Sequence, residues 1–178
     1  MKHALIPLLL IAPPALADDT DPGGTLNPSE MTWESMLDRA DRGETGMVLC
    51  ASGYMITKKG EHAAARRLFE RCAEAGYTGA MTWMSQLDNN GLGGDYDPDA
   101  AADWDRRAAE LGDPVGKFNH GLNLMRGHGT AQDETLGRQF VDEAAAAGLA
   151  VAKRLQGAGY DLDEVTPDAD NWKYAPVF

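Results

Sequence analysis

The stretch Leu87 to Asp99 reads LDNNGLGGDYDPD, crowding carboxylates, amides and glycines into 13 residues. That combination can cradle a calcium ion, or it can turn the chain between two helices. A calcium loop needs oxygen ligands at alternating positions and a bidentate carboxylate at its end. Leu92 and Gly94 stand where ligands would be wanted, so the residues favour the turn.

The other chemistry-bearing residues are sparse. His62, His120 and His128 do not cluster as zinc ligands should, and His3 lies in the first few residues. Met81, Met84, Met125 and His128 could bind copper(I) softly, but methionines at helical spacing more commonly fill cores. No G-x-S-x-G elbow, phosphate loop or H-E-x-x-H occurs. The carboxylates offer no pair that stands out as acid and base. No catalytic residue, metal site or cofactor is therefore assigned.

The N-terminus carries its own signal. MKH supplies a positive start, ALIPLLLIA an apolar run, and PPALA ends on small residues at Ala15 and Ala17. This pattern predicts a secretory signal peptide over residues 1–17, cut before Asp18. The run is too short for a stable membrane span, and no cysteine follows the cut for a lipid anchor. The 161 residues left of 178 are enough for one domain with a real core. They carry 15 basic against 28 acidic residues, a net charge of −13, because Lys2 leaves with the leader. Such a surface repels nucleic acid and anionic lipid. A soluble, periplasmic, monomeric protein is expected.

What positions the turn is a repeat. Gly91, Gly93 and Asp97 recur 36 residues later as Gly127, Gly129 and Asp133. Trp104 then matches Phe140, Ala108-Ala109 matches Ala144-Ala145, and Gly112 matches Gly148. One period earlier the frame meets Leu68-Phe69, Cys72-Ala73 and Gly76, and small residues follow each glycine at Ala80, Gly116 and Ala152. A fixed period of this length marks stacked repeats. Asp97-Pro98 and Asp113-Pro114 read as helix starts, with aspartate capping free N–H groups and proline needing no donor in the first turn. Ala101, Trp104 and Ala108 share one helical face, and Gly112 and Gly148 end their helices. The turn at Gly127 to Asp133, GHGTAQD, has lost nearly all its oxygen ligands yet keeps the frame. LDNNGLGGDYDPD is accordingly read as the turn inside one repeat.

With its frame G-x-G-x-x-x-D-x-x-x-[A/G]-x-x-[W/F]-x-x-x-A-A-x-x-G, the chain resembles the Sel-one-like repeat family, relatives of the tetratricopeptide repeat. The matches run Ala80–Gly112 and Gly116–Gly148; Thr45–Gly76 is a shorter copy without the double-glycine turn, and a partial copy begins at Ala150. The resemblance implies an all-α, right-handed superhelical solenoid of antiparallel helix pairs with helical caps. Residues 18–43 would hold an N-terminal segment and capping helix, 44–148 three helix-pair repeats, and 149–178 a capping helix and extended tail. Two positions depart from the pattern. Ser85 replaces the glycine found at Gly121, and Asp88 stands where a bulky residue is expected, so that helix should pack less tightly or expose a different face. MTWESMLD at residues 31–38 matches MTWMSQLD at 81–88 in six of eight places and should form the N-terminal cover after Asn27-Pro28. Trp172, Tyr174, Val177 and Phe178 make an apolar tail that should dock on the protein itself or on a partner.

Function then follows from shape, since stacked repeats present a concave groove to a peptide or protein. The resemblance implies an adaptor without chemistry of its own, in envelope assembly or regulation. Trp83, Met84, Leu87, Asn119, His120 and Asn123, on the first helices of their repeats, are the candidate groove residues. Two rivals stand beside it. Cysteine-rich members of the resembled family are linked to β-lactam binding and hydrolysis, but this chain lacks an activated serine or a zinc cluster. A periplasmic metal binder is the third reading.

In the repeat frame Cys50 falls on a first helix and Cys72 near the end of a second, positions that antiparallel packing sets side by side. An exported pair of this kind is normally a disulfide, against free thiols or a redox couple. Its entropic contribution is roughly 3 kcal/mol. Unfolded, unreduced protein should show no free thiol in a thiol titration, and reductant should lower the melting temperature. A full complement of two thiols would show that the compartment or the repeat register is misread.

Overall fold

Aspartate and proline start helices where the sequence predicts them. Asp97 accepts from the Ala100 N–H at 3.0 Å, Asp113 from Val115 and Gly116 at 2.8 and 2.9 Å, and Asp133 from Leu136 at 2.9 Å. Each carboxylate satisfies donors that the first turn leaves without partners and meets the positive end of the helix dipole. At the other end Gly112 takes φ +87°, letting the Asp113 N–H reach back to the Ala108 carbonyl at 3.1 Å. The same closure recurs from Tyr77 to Cys72 and from Leu149 to Ala144.

The structure, a computed structural model, describes residues 32–165. The predicted leader, Asn27-Pro28 and the tail aromatics lie outside the described residues. Eight helices follow in order: α1 (Trp33–Asp41), α2 (Met47–Lys58), α3 (His62–Glu74), α4 (Thr78–Asn89), α5 (Pro98–Glu110), α6 (Pro114–Arg126), α7 (Glu134–Ala146) and α8 (Ala150–Gly157). A 3-10 turn at Leu162–Glu164 completes them, and there is no strand among the described residues. Each helix packs on its sequence neighbours; α2 also meets α4, α4 meets α6, and α1 meets α3. That pattern is a solenoid. The pairs α2–α3, α4–α5 and α6–α7 stack, α1 covers one end, and α8 follows at the other.

Small residues set how closely the helices approach. A Cβ on Gly116 would sit 2.5 Å from the Ala108 Cβ, and one on Gly137 would sit 2.6 Å from the Gly121 carbonyl oxygen. The turns interlock across repeats by the same means. Gly129, at φ +62°, lies so near the start of α5 that a Cβ would fall 1.9 Å from the Pro98 carbonyl oxygen. Gly93, 36 residues earlier, meets the His62 backbone at the start of α3 in the same way, at 2.5 Å. The 36-residue glycine period thus has a steric cause, because each long turn rests on the helix start of the repeat before it.

Cys50 and Cys72 form a disulfide between α2 and α3, with Cα atoms 5.8 Å apart. The pair sits in a core of Leu37, Leu49, Ile56, Leu68, Phe69, Met84 and Leu87, whose large side chains contribute roughly 2 kcal/mol each by burial. A second apolar cluster, with Phe118, Leu122, Met125, Val141 and Leu155, joins α6, α7 and α8. Met81, Met84 and Met125 are all buried in these clusters, as core filler.

Ser85 and Asp88 neither loosen α4 nor turn it outward, contrary to the expectation. Each is 3 % exposed. The Ser85 hydroxyl donates to the buried Asp105 carboxylate at 2.8 Å, while Asp88 pairs with Arg66 of α3 at 2.6 Å. An ion pair stands at Asp88 where the next repeat has Leu124, and a hydroxyl stands at Ser85 where it has Gly121.

Gly129→Val should cost roughly 3 kcal/mol or more, since it combines a positive φ with a backbone clash. Gln132→Ala should cost only about 1 kcal/mol, the value of the lost 2.8 Å bond to the Met125 carbonyl. Chemical denaturation of both variants measures the gap; equal midpoints would refute the interlocked turn.

Candidate functional site

The first helices of the three pairs, α2, α4 and α6, face one side and line a groove. One hollow of about 470 Å³ lies over α4 and α6, with Ser85, Asn89, Asp105, Asn123 and His128 in its wall. A second, of about 620 Å³, runs past Thr57, Lys58, Trp83 and Leu92 toward α2. Thr82, Gln86 and Asn119 border both, so the two are continuous.

Aromatic stacking builds the α2 end. Trp83 lies parallel to Phe69, with ring centroids 5.6 Å apart, and meets Tyr54 at 5.5 Å. Phe69 is fully buried and fixes the indole plane, and Trp83, half-buried, borders the second hollow.

A buried carboxylate builds the other end. Asp105 projects from α5 and is 2 % exposed. Its Oδ2 accepts from Ser85 Oγ at 2.8 Å and Asn123 Nδ2 at 3.0 Å, and its Oδ1 from Asn119 Nδ2 at 3.1 Å. Burial pushes its pKa up to about 6, and the three hydrogen bonds work against that rise. Asn119 and Asn123 stand one helical turn apart on α6, which is why both reach the same carboxylate. Farther along, Arg126 donates to the Val165 carbonyl, its pKa lowered by burial, and His128 Nε2 meets Asn89 Oδ1 at 2.8 Å.

Of the residues singled out from the sequence, Trp83, Asn119 and Asn123 border the groove. Met84, Leu87 and His120 do not. Met84 and Leu87 point into the first apolar cluster, because on α4 they lie on the face that meets its neighbours rather than the open one. His120 is 8 % exposed, edge-on to Phe140 with centroids 4.8 Å apart, and burial lowers its pKa. Asp105, Ser85, Gln86 and Arg126 were missed. Asp105 had left a trace: its counterparts one period away are Phe69 and Val141, so a carboxylate stands in an apolar register.

The opening stretch makes a structural turn. Asp97 caps α5, Asp88 pairs with Arg66, Asn90 donates to the Gln86 carbonyl and Asn89 meets His128. Among the described residues no three His, Cys, Asp or Glu side chains converge as metal ligands would.

No protein-family model matches the sequence, and no curated protein matches it either. Solved structures do. A Sel1 repeat protein from Oxalobacter formigenes is 26% identical, with a TM-score of 0.55 over 70% of this chain and 96% of that one. The chain has the fold of Sel1-like repeat proteins. Helicobacter pylori cysteine rich protein B is 18% identical at a TM-score of 0.57, covering 75% of this chain and 98% of that one. The protective antigen c5321 of uropathogenic Escherichia coli, described as displaying an SLR fold, is also 18% identical, at 0.56 over 75% of this chain and 34% of its own. Within the chain's own repeats the Asp105 network stands at a position that is apolar in both neighbours.

Asp105 binds its proton more tightly in the folded chain than in the unfolded one, where the ordinary value is 3.8. Its contribution to stability is therefore full below about pH 4 and lost as pH rises through about 6. Asp105→Asn removes that titration. Going from pH 7 to pH 5, the wild type should gain about 1 kcal/mol relative to the variant. Parallel denaturation curves at both pH values would contradict this.

Proposed function

We propose that the protein is an exported interaction scaffold that takes an extended peptide or loop of a protein partner into the groove across α2, α4 and α6. The observation that carries this reading is the row of carboxamides, Gln86, Asn89, Asn119 and Asn123, along a continuous hollow. A carboxamide holds a donor and an acceptor side by side and so complements a peptide bond of any sequence. Trp83 adds a flat apolar stop at one end, of the kind that anchors interfaces.

Export is supported by the N-terminal pattern and by the Cys50–Cys72 disulfide, which persists only in an oxidising compartment. Among the described residues no helix is long and apolar enough to cross a membrane. The acidic balance of 28 carboxylates against 16 basic residues favours a partner that is not itself acidic. A role in envelope assembly or regulation fits such a scaffold.

A photo-crosslinking residue placed at Gln86, in the groove, should capture a partner in periplasmic extract. The same residue at Glu70, exposed on α3, should not. Equal capture from the two positions would remove the groove from the reading.

A further inference from the structure

Among the described residues the carboxylate beneath the groove has no counter-ion. Its three donors, Ser85, Asn119 and Asn123, are all neutral. Among the described residues no lysine, arginine or histidine pairs with Asp105: Arg66 is engaged with Asp88, and Arg126 with the Val165 carbonyl. A buried carboxylate in this condition is unfavourable unless a positive charge or a proton completes it.

Packing does not require it. In the repeats on either side the same position holds Phe69 and Val141, each fully buried. The fold thus accommodates an apolar side chain there twice, and such a replacement of a buried charge is commonly neutral or stabilising. Asp105, although only 2 % exposed, borders the 470 Å³ hollow. A carboxylate offers about four acceptor sites; Oδ1 uses one, for Asn119, and keeps at least one for a donor entering from the groove. Around that hollow Thr82, Gln86 and Asn89 carry further oxygens that an ammonium or guanidinium group can donate to.

We propose that the hollow over Asp105 is a subsite for a basic side chain, lysine or arginine, of the bound peptide. The proposal rests on the groove reading and names the chemistry the groove selects. A donor set of one carboxylate among neutral amides suits an organic cation better than a metal ion, which draws on several charged or imidazole ligands. The chain's net charge of −12 draws cations toward it in the same sense.

The test uses the full chain and two capped peptide pools, acetyl-x-x-Lys-x-x-amide and acetyl-x-x-norleucine-x-x-amide, with x drawn from uncharged residues. Binding is followed by NMR on the side-chain amides of Asn119 and Asn123. The lysine pool should bind about tenfold more tightly than the norleucine pool, and in Asp105→Asn the two pools should bind alike. Equal binding of both pools to the wild type overturns the subsite and leaves the groove standing. A preference that survives in Asp105→Asn also overturns it, assigning the effect to general surface charge. A separate arm titrates n-butylammonium and methylguanidinium alone. If neither pool binds yet these cations shift the two amides in the wild type, the subsite holds and the peptide groove fails; if they too leave the amides unmoved, the subsite fails as well. Should Asp105→Asn fail to fold, Asp105→Val, which carries the residue found at the same position in the next repeat, takes its place in the comparison.

Discussion

The stack depends on backbone touching backbone. Where the turn after α4 meets the first residues of α3, and the turn after α6 meets those of α5, the gap is narrower than a methyl group. Gly93 and Gly129 enter it, and a side chain at either would push one repeat off the next. Repeat-to-repeat distance is therefore fixed by main chain, which does not vary with sequence, rather than by the packing of large side chains, which does. The surrounding alanines along α5 and α7 extend the same rule, letting helices close up until small side chains fill the space.

Such tight spacing leaves little room for a groove except along the first helices, and it leaves the core discontinuous. Apolar packing holds α1 to α4 and the Ala108 face of α5 together and, separately, α6 to α8. Between them stands Asp105 with its serine and asparagine partners. Hydrogen bonds here add to the close approach of Gly116 on Ala108 in joining α5 to α6. They also hold the α6 asparagines in one orientation, so that the wall of the groove is ordered before anything binds.

Much of the architecture was legible in the residues. The period of glycines, the Asp-Pro starts and the paired alanines each have a local cause that acts over a few residues, and each predicted its element. The disulfide was legible too, because the repeat register set Cys50 beside Cys72. The groove was legible only in part. Helical spacing places Trp83, Met84 and Leu87 on α4 but does not say which of them faces a neighbour, and Met84 and Leu87 proved to be core. The departures at Ser85 and Asp88 suggested a loose helix because each was weighed alone. Their partners, Asp105 and Arg66, lie 20 and 22 residues away on other helices, and only folding makes the pairs visible.

The covalent link lies in the one helix pair that has no long turn to lock it. Residues 59–61 join α2 to α3, too few to reach a neighbouring repeat, and the disulfide supplies the missing tie. A stacked array opens from its ends, and each unit's resistance depends on what holds it to the next. Among the described residues one end is riveted, the other carries no covalent tie, and a polar seam crosses the middle. Unzipping should accordingly begin at α8, run inward and pause at Asp105, leaving the riveted half standing as a partly unfolded species. Oxidation would thus do more than raise stability, because it gives the unravelling of the chain a direction.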